Sequence, residues 1–168
     1  VSLLALPDLN GISVTCQTGE NTTMTAELFY DKYQGDWNGL LEVLFSADIR
    51  KVSHNVKDLM RALLENQLPA EGFLFDTALA AYLLDATAGS YLDAEAFSML
   101  GDVAQAEAAL DSYAVAVDAL YGTLSARLRE LGLQDLFERA ELPLCRVLAE
   151  MELTGCRVDK GALVSFGE

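Results

Sequence analysis

The sequence predicts an α/β fold, a mixed β-sheet flanked by helices, and three observations carry that expectation. Lys51 to Asp85 (KVSHNVKDLMRALLENQLPAEGFLFDTALAAYLLD) passes from strand to helix pattern twice in about thirty residues, as α/β layers do. Three strand patterns precede it with only turns between them, which points to an antiparallel portion of the sheet. The chain has 168 residues, 52% apolar and 22% charged, enough for one domain with a real core.

Taken in order, Val1 to Leu6 is an apolar strand turned by Pro7-Asp8. Gly11 to Cys16 alternates with period two, Gly19-Glu20-Asn21 reads as a hairpin turn, and Thr22 to Leu28 returns as a third strand. Tyr30 to Asp36 is a polar link. Trp37, Leu40, Leu41, Leu44 and Phe45 then share one face of a short helix, with Trp37 expected to anchor the core rather than to stack on a base. Val52-Ser53 is a brief strand closing on His54-Asn55, and Leu59, Ala62 and Leu63 recur at helical spacing. Pro69 and Gly72 punctuate the chain before the strand Phe73-Leu74-Phe75, which stops at Asp76-Thr77. Thr77 is placed to cap a helix carrying Leu79, Ala80, Leu83 and Leu84. His54-Asn55 and Asp76 thus fall at the C-terminal ends of strands, where open α/β sheets place their sites.

Ala86 to Ser90 is a small-residue stretch, and Tyr91 to Leu100 reads as a short helix. Leu110, Tyr113, Val117, Leu120, Leu124, Leu128 and Leu131 keep helical spacing until Gly132. Leu133 to Ala140 is a further short helix. Leu142 to Leu153 is another, with Leu144, Val147, Leu148 and Met151 as its apolar side and Gly155 at C′. Cys156-Arg157-Val158 extends briefly before Asp159, placed to cap a last helix. Tyr82, Tyr113 and Tyr121 lie on apolar faces and are expected in the core.

Charge narrows the function classes. Eleven Lys and Arg stand against 26 Asp and Glu, a formal −15, and Ala62 to Ala126 holds ten acids and no Lys or Arg. Phosphate backbones are held by cations, so this surface repels nucleic acid unless metal ions or another domain supply the counter-charge. No apolar run approaches the roughly twenty residues of a membrane helix and no leader pattern opens the chain, so a cytoplasmic protein is expected. The start at Val1 predicts a fragment of a longer chain. Cys16, Cys145 and Cys156 are widely spaced and form no CxxC pair, which predicts reduced thiols and no zinc site.

Glu141 to Asp159, ELPLCRVLAEMELTGCRVD, has the pattern E-x-P-L-x-x-V-L-x-x-M-E-x-x-G-x-x-V-D. It resembles the connector of bacterial family A DNA polymerases, the DNA polymerase I family, which joins the 3′–5′ exonuclease-type domain to the polymerase domain. HNVKDL resembles the Q-N-x-K-x-D segment of that family, and FDTALAAYLLD its F-D-T-x-L-x-x-Y-L-L segment. The resemblance covers nearly the whole chain and implies a ribonuclease-H-like fold. Residues 1–140 would be the exonuclease-like domain, and 141–168 the connector and truncated start of the polymerase domain.

Active exonucleases of the family hold two divalent metals, about 3.5–4 Å apart, with four carboxylates, and a tyrosine orients the attacking water. The resemblance puts the first acidic pair near Ser2 to Leu6, where no acid stands. The third acid falls on Leu59, with Asp58 one place early, a rotation of about 100° around a helix. The last belongs to a Tyr-x-x-x-Asp step, but Tyr113 and Asp118 are one residue too far apart. Asp76 survives in a segment that supports the fold rather than ligating metal. For His54, the only histidine, bonding the loop at a strand end is favoured over service as a general base.

The expectation is therefore an exonuclease-like domain with Asp58, Leu59, Tyr113 and Asp118 as degenerate counterparts of the catalytic set. No metal or other cofactor is expected to bind it. Its partner would be the polymerase domain of the same longer chain, a DNA-directed DNA polymerase of replication and repair. DNA would be bound through that parent, weakly or not at all by this segment, and no membrane is involved. The alternative is an active or weakly active Mg²⁺- or Mn²⁺-dependent proofreading exonuclease using Asp58 and Asp118. A third, distant reading is a protein-interaction platform built on the acidic surface.

Overall fold

β1 (Ser2–Ala5), β2 (Gly11–Gly19) and β3 (Thr22–Phe29) pair antiparallel in sequence. β4 (Lys51–Ser53) joins β1 in parallel, and β5 (Phe73–Asp76) joins β4 in parallel. The strand order is β3-β2-β1-β4-β5. The helices are α1 (Trp37–Leu44), α2 (Val56–Glu65), α3 (Thr77–Leu84), α4 (Val103–Glu130), α5 (Gln134–Leu136) and α6 (Leu142–Thr154), with a π-helical turn, Phe137–Glu141, joining the last two. This is the mixed α/β, ribonuclease-H-like arrangement expected. The computed structural model describes residues 1–19, 22–85, 103–157, 159, 161 and 165–166, with side chains for all of these but 103–112.

Alternation along the first two strands decides which helix covers which face. Successive side chains of a strand point to opposite faces, so Leu3 and Ile12 share one side while Ser2, Ser13 and Thr15 share the other. On the apolar side Leu3 and Ile12 pack with Trp37, Leu41 and Phe45, with Val56, Leu59 and Leu63 of α2, and with Cys145 and Ala149 of α6. Trp37 is a core anchor, and its indole N–H donates to the Leu9 carbonyl at 3.1 Å. The second cluster joins Val52 and Phe75 to Ala80 and Ala81 of α3, Val117, Leu124 and Leu128 of α4, Phe137 and Leu142. Burying each Leu, Val or Phe contributes roughly 1.5–3 kcal/mol relative to leaving it exposed.

Packing overrides several expectations. Thr77 does not cap α3; Asp76 does, and Thr77 is the first helical residue. Tyr113 is buried as expected, but Tyr82 is 61% exposed and Tyr121 is also exposed, its ring edge-on to Phe75 at 5.1 Å. The small residues Ala80 and Ala81 take the buried side of α3, which leaves Tyr82 outside. On α6 the expected apolar side, Leu144, Val147, Leu148 and Met151, is exposed, and Leu142, Cys145 and Ala149 are buried instead. Leu133 to Ala140 is not one short helix: a single turn gives way to the wider π turn that opens with the buried Phe137. The stretches Ala86 to Ser90 and Tyr91 to Leu100, and the tip of the β2–β3 hairpin, lie outside the described residues. Gly155 ends α6 with φ 68°, and Asp159 accepts from the Gly161 N–H at 2.9 Å.

A cleft at the ends of β1 and β4

Asp76 organises the ends of the central strands. Its Oδ1 accepts from the N–H groups of Asn55 (2.9 Å), Ala78 (2.9 Å) and Leu79 (3.3 Å), and its Oδ2 accepts from Val56 (2.8 Å). One buried carboxylate therefore caps α2 and α3 together, satisfying orphan donors at both N-termini. Asn55 takes the left-handed conformation, φ 56°, to turn β4 into α2. Burial pushes the Asp76 carboxyl above the usual carboxylate range, and the four N–H donors oppose that rise. All four contacts use the oxygens as acceptors, so the site is built for the ionised form.

His54 is fixed beside this cap. Its Nδ1 lies 2.8 Å from Thr77 Oγ1, and the Thr77 hydroxyl donates onward to the Ser53 carbonyl at 3.4 Å. That chain assigns the proton to Nδ1. Burial pushes the imidazole down to about 4, so His54 is neutral at pH 7 and a feeble base. It bonds the loop at the strand end, as expected.

In front of these residues opens a cleft of about 600 Å³ lined by Leu4, Ala5, Leu6, Pro7, Ser53, His54, Asn55, Asp58, Leu59, Arg61, Ala62 and Glu152. It sits where the sheet was expected to carry a site. Leu59 is buried beneath it, and Asp58 stands exposed at its edge rather than turned out of it. The Asp58 carboxylate accepts from Asn55 Nδ2 at 2.7 Å and pairs with Lys57 at 3.0 Å. The other acid of the cleft, Glu152, pairs with the same Lys57 at 2.5 Å and with Arg61 at 3.6 Å. Pairing with both acids holds the Lys57 ammonium above its ordinary value.

Asp118 is elsewhere. It lines a different cleft, with Ser2, Thr15, Arg50 and Tyr121, and accepts from the Ser2 hydroxyl at 2.6 Å. Val117 precedes it as a fully buried core residue, and Tyr113 is buried one turn before. The structure does not bring Asp58 and Asp118 into one site. Among the described residues, no three His, Cys, Asp or Glu side chains could hold one ion together. The cleft does not fit a two-metal centre: its two acids already share one ammonium, and its floor is apolar.

Lys51 carries no signal in the sequence, yet it is fully buried. Its ammonium donates to the carbonyls of Ser46 (3.0 Å), Ile49 (2.7 Å) and Glu71 (2.5 Å), with the Phe73 ring 5.2 Å away. Burial pushes it down to about 8, partly offset by the Glu71 carboxylate. All three thiols are free, and burial raises that of Cys145 to about 11, which makes it inert.

The strand order and the position of the cleft define a ribonuclease-H-like α/β domain. No family model matches the chain. The DNA polymerase I of Chloroflexus aurantiacus is 34% identical over 142 residues, 70% of this chain and 15% of the relative. That of Caldicellulosiruptor bescii is 32% identical over 131 residues, 76% of this chain and 15% of the relative. A solved structure described as the POL domain of Pol1 from M. smegmatis in complex with DNA primer-template and dNTP matches with a TM-score of 0.71 and 26% identity, over 93% of this chain and 27% of that one. The chain belongs to the DNA polymerase I family, the family A DNA polymerases. It spans about 15% of the length of these curated relatives.

Proposed function

We propose that this chain is the 3′–5′ exonuclease-like domain of a cytoplasmic bacterial DNA polymerase I, kept as a structural module without nuclease activity. The observation that carries this reading is Leu59, buried under the cleft where the resemblance places a metal-ligating carboxylate. Ser2 to Ala5 adds no acid, and Asp58 and Glu152 are paired to Lys57. A net charge of −15 further opposes a DNA strand entering without metals. The parent chain would extend primers in replication and repair through residues beyond this segment. Residues 1–140 form the domain in this reading and 141–168 the connector and truncated start of the polymerase domain, with helix α6 anchored on α2 through Cys145 and Ala149.

The test is degradation of a 3′-labelled single-stranded oligonucleotide with Mg²⁺ or Mn²⁺, against an EDTA control. The expected result is no metal-dependent shortening at high protein and moderate salt. Metal-dependent loss of 3′ nucleotides that disappears in Asp58→Ala or Asp118→Ala would establish the proofreading alternative instead.

A further inference from the structure

A second pocket, of about 280 Å³, opens beside Trp37, and its wall includes Asp8, Asn10, Tyr30, Asn38 and Asn66. Two left-handed turns build it. Leu9 stands at φ 58° and Gln67 at φ 59°; with Asn55 they are the non-glycine residues of positive φ among those described. That conformation is unfavourable for a bulky side chain such as Leu and persists only where the surroundings hold it. Here the Leu9 carbonyl accepts from the Trp37 indole at 3.1 Å and its N–H donates to the Leu6 carbonyl at 2.9 Å. The buried Leu9 thus sets Asp8 and Asn10 at the pocket, and the Gln67 turn sets Asn66 there.

Charge and rings together select the ligand. The exposed Asp8 carboxylate accepts, among the described residues, only from Asn10, through the backbone N–H at 3.5 Å and Nδ2 at 2.7 Å. None of the described residues lining the pocket is Lys, Arg or His, and Lys32 lies over the Phe29 ring at 4.5 Å instead. Asn66 donates through Nδ2 to the Ala62 carbonyl at 2.8 Å, which leaves its Oδ1 as an acceptor. Asn10 Oδ1 is buried with no donor, so this wall lacks a donor as well as a cation. Tyr30 meets Trp37 edge-on at 6.1 Å and is 63% exposed, which leaves a π face uncovered. A carboxylate without a cation, acceptors without donors and an open ring all call for one chemistry, a positive charge carrying several N–H groups. A guanidinium has it: planar, weakly hydrated, able to stack on aromatic rings while its fork of donors fits a carboxylate. An anionic ligand would instead meet Asp8 and a net charge of −15.

We infer that this pocket binds a guanidinium group, paired to Asp8 and stacked on Tyr30 beside Trp37. The test titrates ethylguanidinium chloride into the ¹⁵N-labelled chain, with ethylurea as an uncharged counterpart of the same shape. Trp37 is the only tryptophan, so its indole N–H gives a single identifiable NMR cross-peak at the site. The expected result is a saturable shift of that peak with a Kd of about 1 mM, a value suited to so small a ligand. Ethylurea should bind about tenfold more weakly or not at all, since it lacks the charge that Asp8 and the rings recognise. Asp8→Asn should weaken ethylguanidinium about tenfold. Tyr30→Leu, at an exposed position whose loss spares the core, should weaken it about threefold with the remaining spectrum unchanged. A capped Gly-Arg-Gly peptide that binds as tightly as ethylguanidinium would identify the occupant as an arginine side chain, and a peptide that does not bind would identify it as a free guanidine compound. No saturable shift, equal affinity for ethylurea, or affinity unchanged in either variant would overturn the inference.

Discussion

The Ser2 hydroxyl and the Asp118 carboxylate, 116 residues apart, meet at 2.6 Å between β1 and α4. This bond ties the first strand to the long helix and turns Asp118 away from the cleft at the other end of β1. A hydrogen bond to a partly exposed carboxylate contributes about 1 kcal/mol. Ser2→Ala should therefore lower the unfolding free energy measured by urea denaturation by that amount, and a Ser2→Ala/Asp118→Ala cycle should return a coupling of similar size. Coupling indistinguishable from zero would mean the bond contributes nothing to stability.

Asp76 holds two helix N-termini through four N–H donors. Asp76→Asn keeps the shape but turns an NH₂ group toward backbone donors. Removing acceptors from buried donors costs on the order of 1–3 kcal/mol each, so Asp76→Asn should destabilise by about 2–4 kcal/mol and Asp76→Ala by more. Thermal unfolding of the two variants checks the order; equal, small shifts would contradict the shared cap.

The pH response has a definite sign. The folded-state pKa of His54 is pushed down by burial to about 4 from 6.5. The unfolded chain therefore binds more protons in that window, and the stabilisation tied to neutral His54 is complete above pH 6.5 and lost as pH falls toward 4. Between pH 7 and 4.5 the loss should reach about 2 kcal/mol. Urea titrations of the parent and of His54→Gln would differ by this amount if His54 is the source. Parallel pH profiles would assign the loss to carboxylates alone.

Gly72 stands at φ 73°, and a Cβ there would drive into the Ile49 carbonyl and come within 2.8 Å of the Ser46 carbonyl and 2.7 Å of Lys51 Nζ. The same two carbonyls hold the buried ammonium. Gly72→Ala combines backbone strain with loss of that cradle and should cost roughly 2–4 kcal/mol. Chemical denaturation measures it, and a cost below about 1 kcal/mol would show that the loop can relax.

Much of the architecture was readable without coordinates. Period-two alternation in Gly11 to Cys16, and helical spacing in Leu59, Ala62 and Leu63, identify their elements because those patterns are local. The choice between two candidate surfaces is not local. On α6, one turn presents both Cys145 and Leu144 as apolar, and only docking against α2 selects Cys145 and Ala149 for burial. The same holds for Asp76 against Thr77: both are good caps, but only Asp76 reaches the donors of α2, which are some twenty residues away in sequence.

The sequence by itself determined the α/β class, the order of strands and helices from Val1 to Asp85, the kinship of Glu141 to Asp159, and the absence of an acid at Leu59. Those are properties of residue type and spacing along the chain. The tertiary structure alone decided that Asp118 bonds Ser2 while Asp58 stays at the cleft with Lys57, that Lys51 is buried among carbonyls, and that the stripe from Leu144 to Met151 faces outward. The physical reason is that burial and partner choice depend on which faces meet when distant elements pack. A carboxylate or an apolar helix face carries no local mark of that outcome.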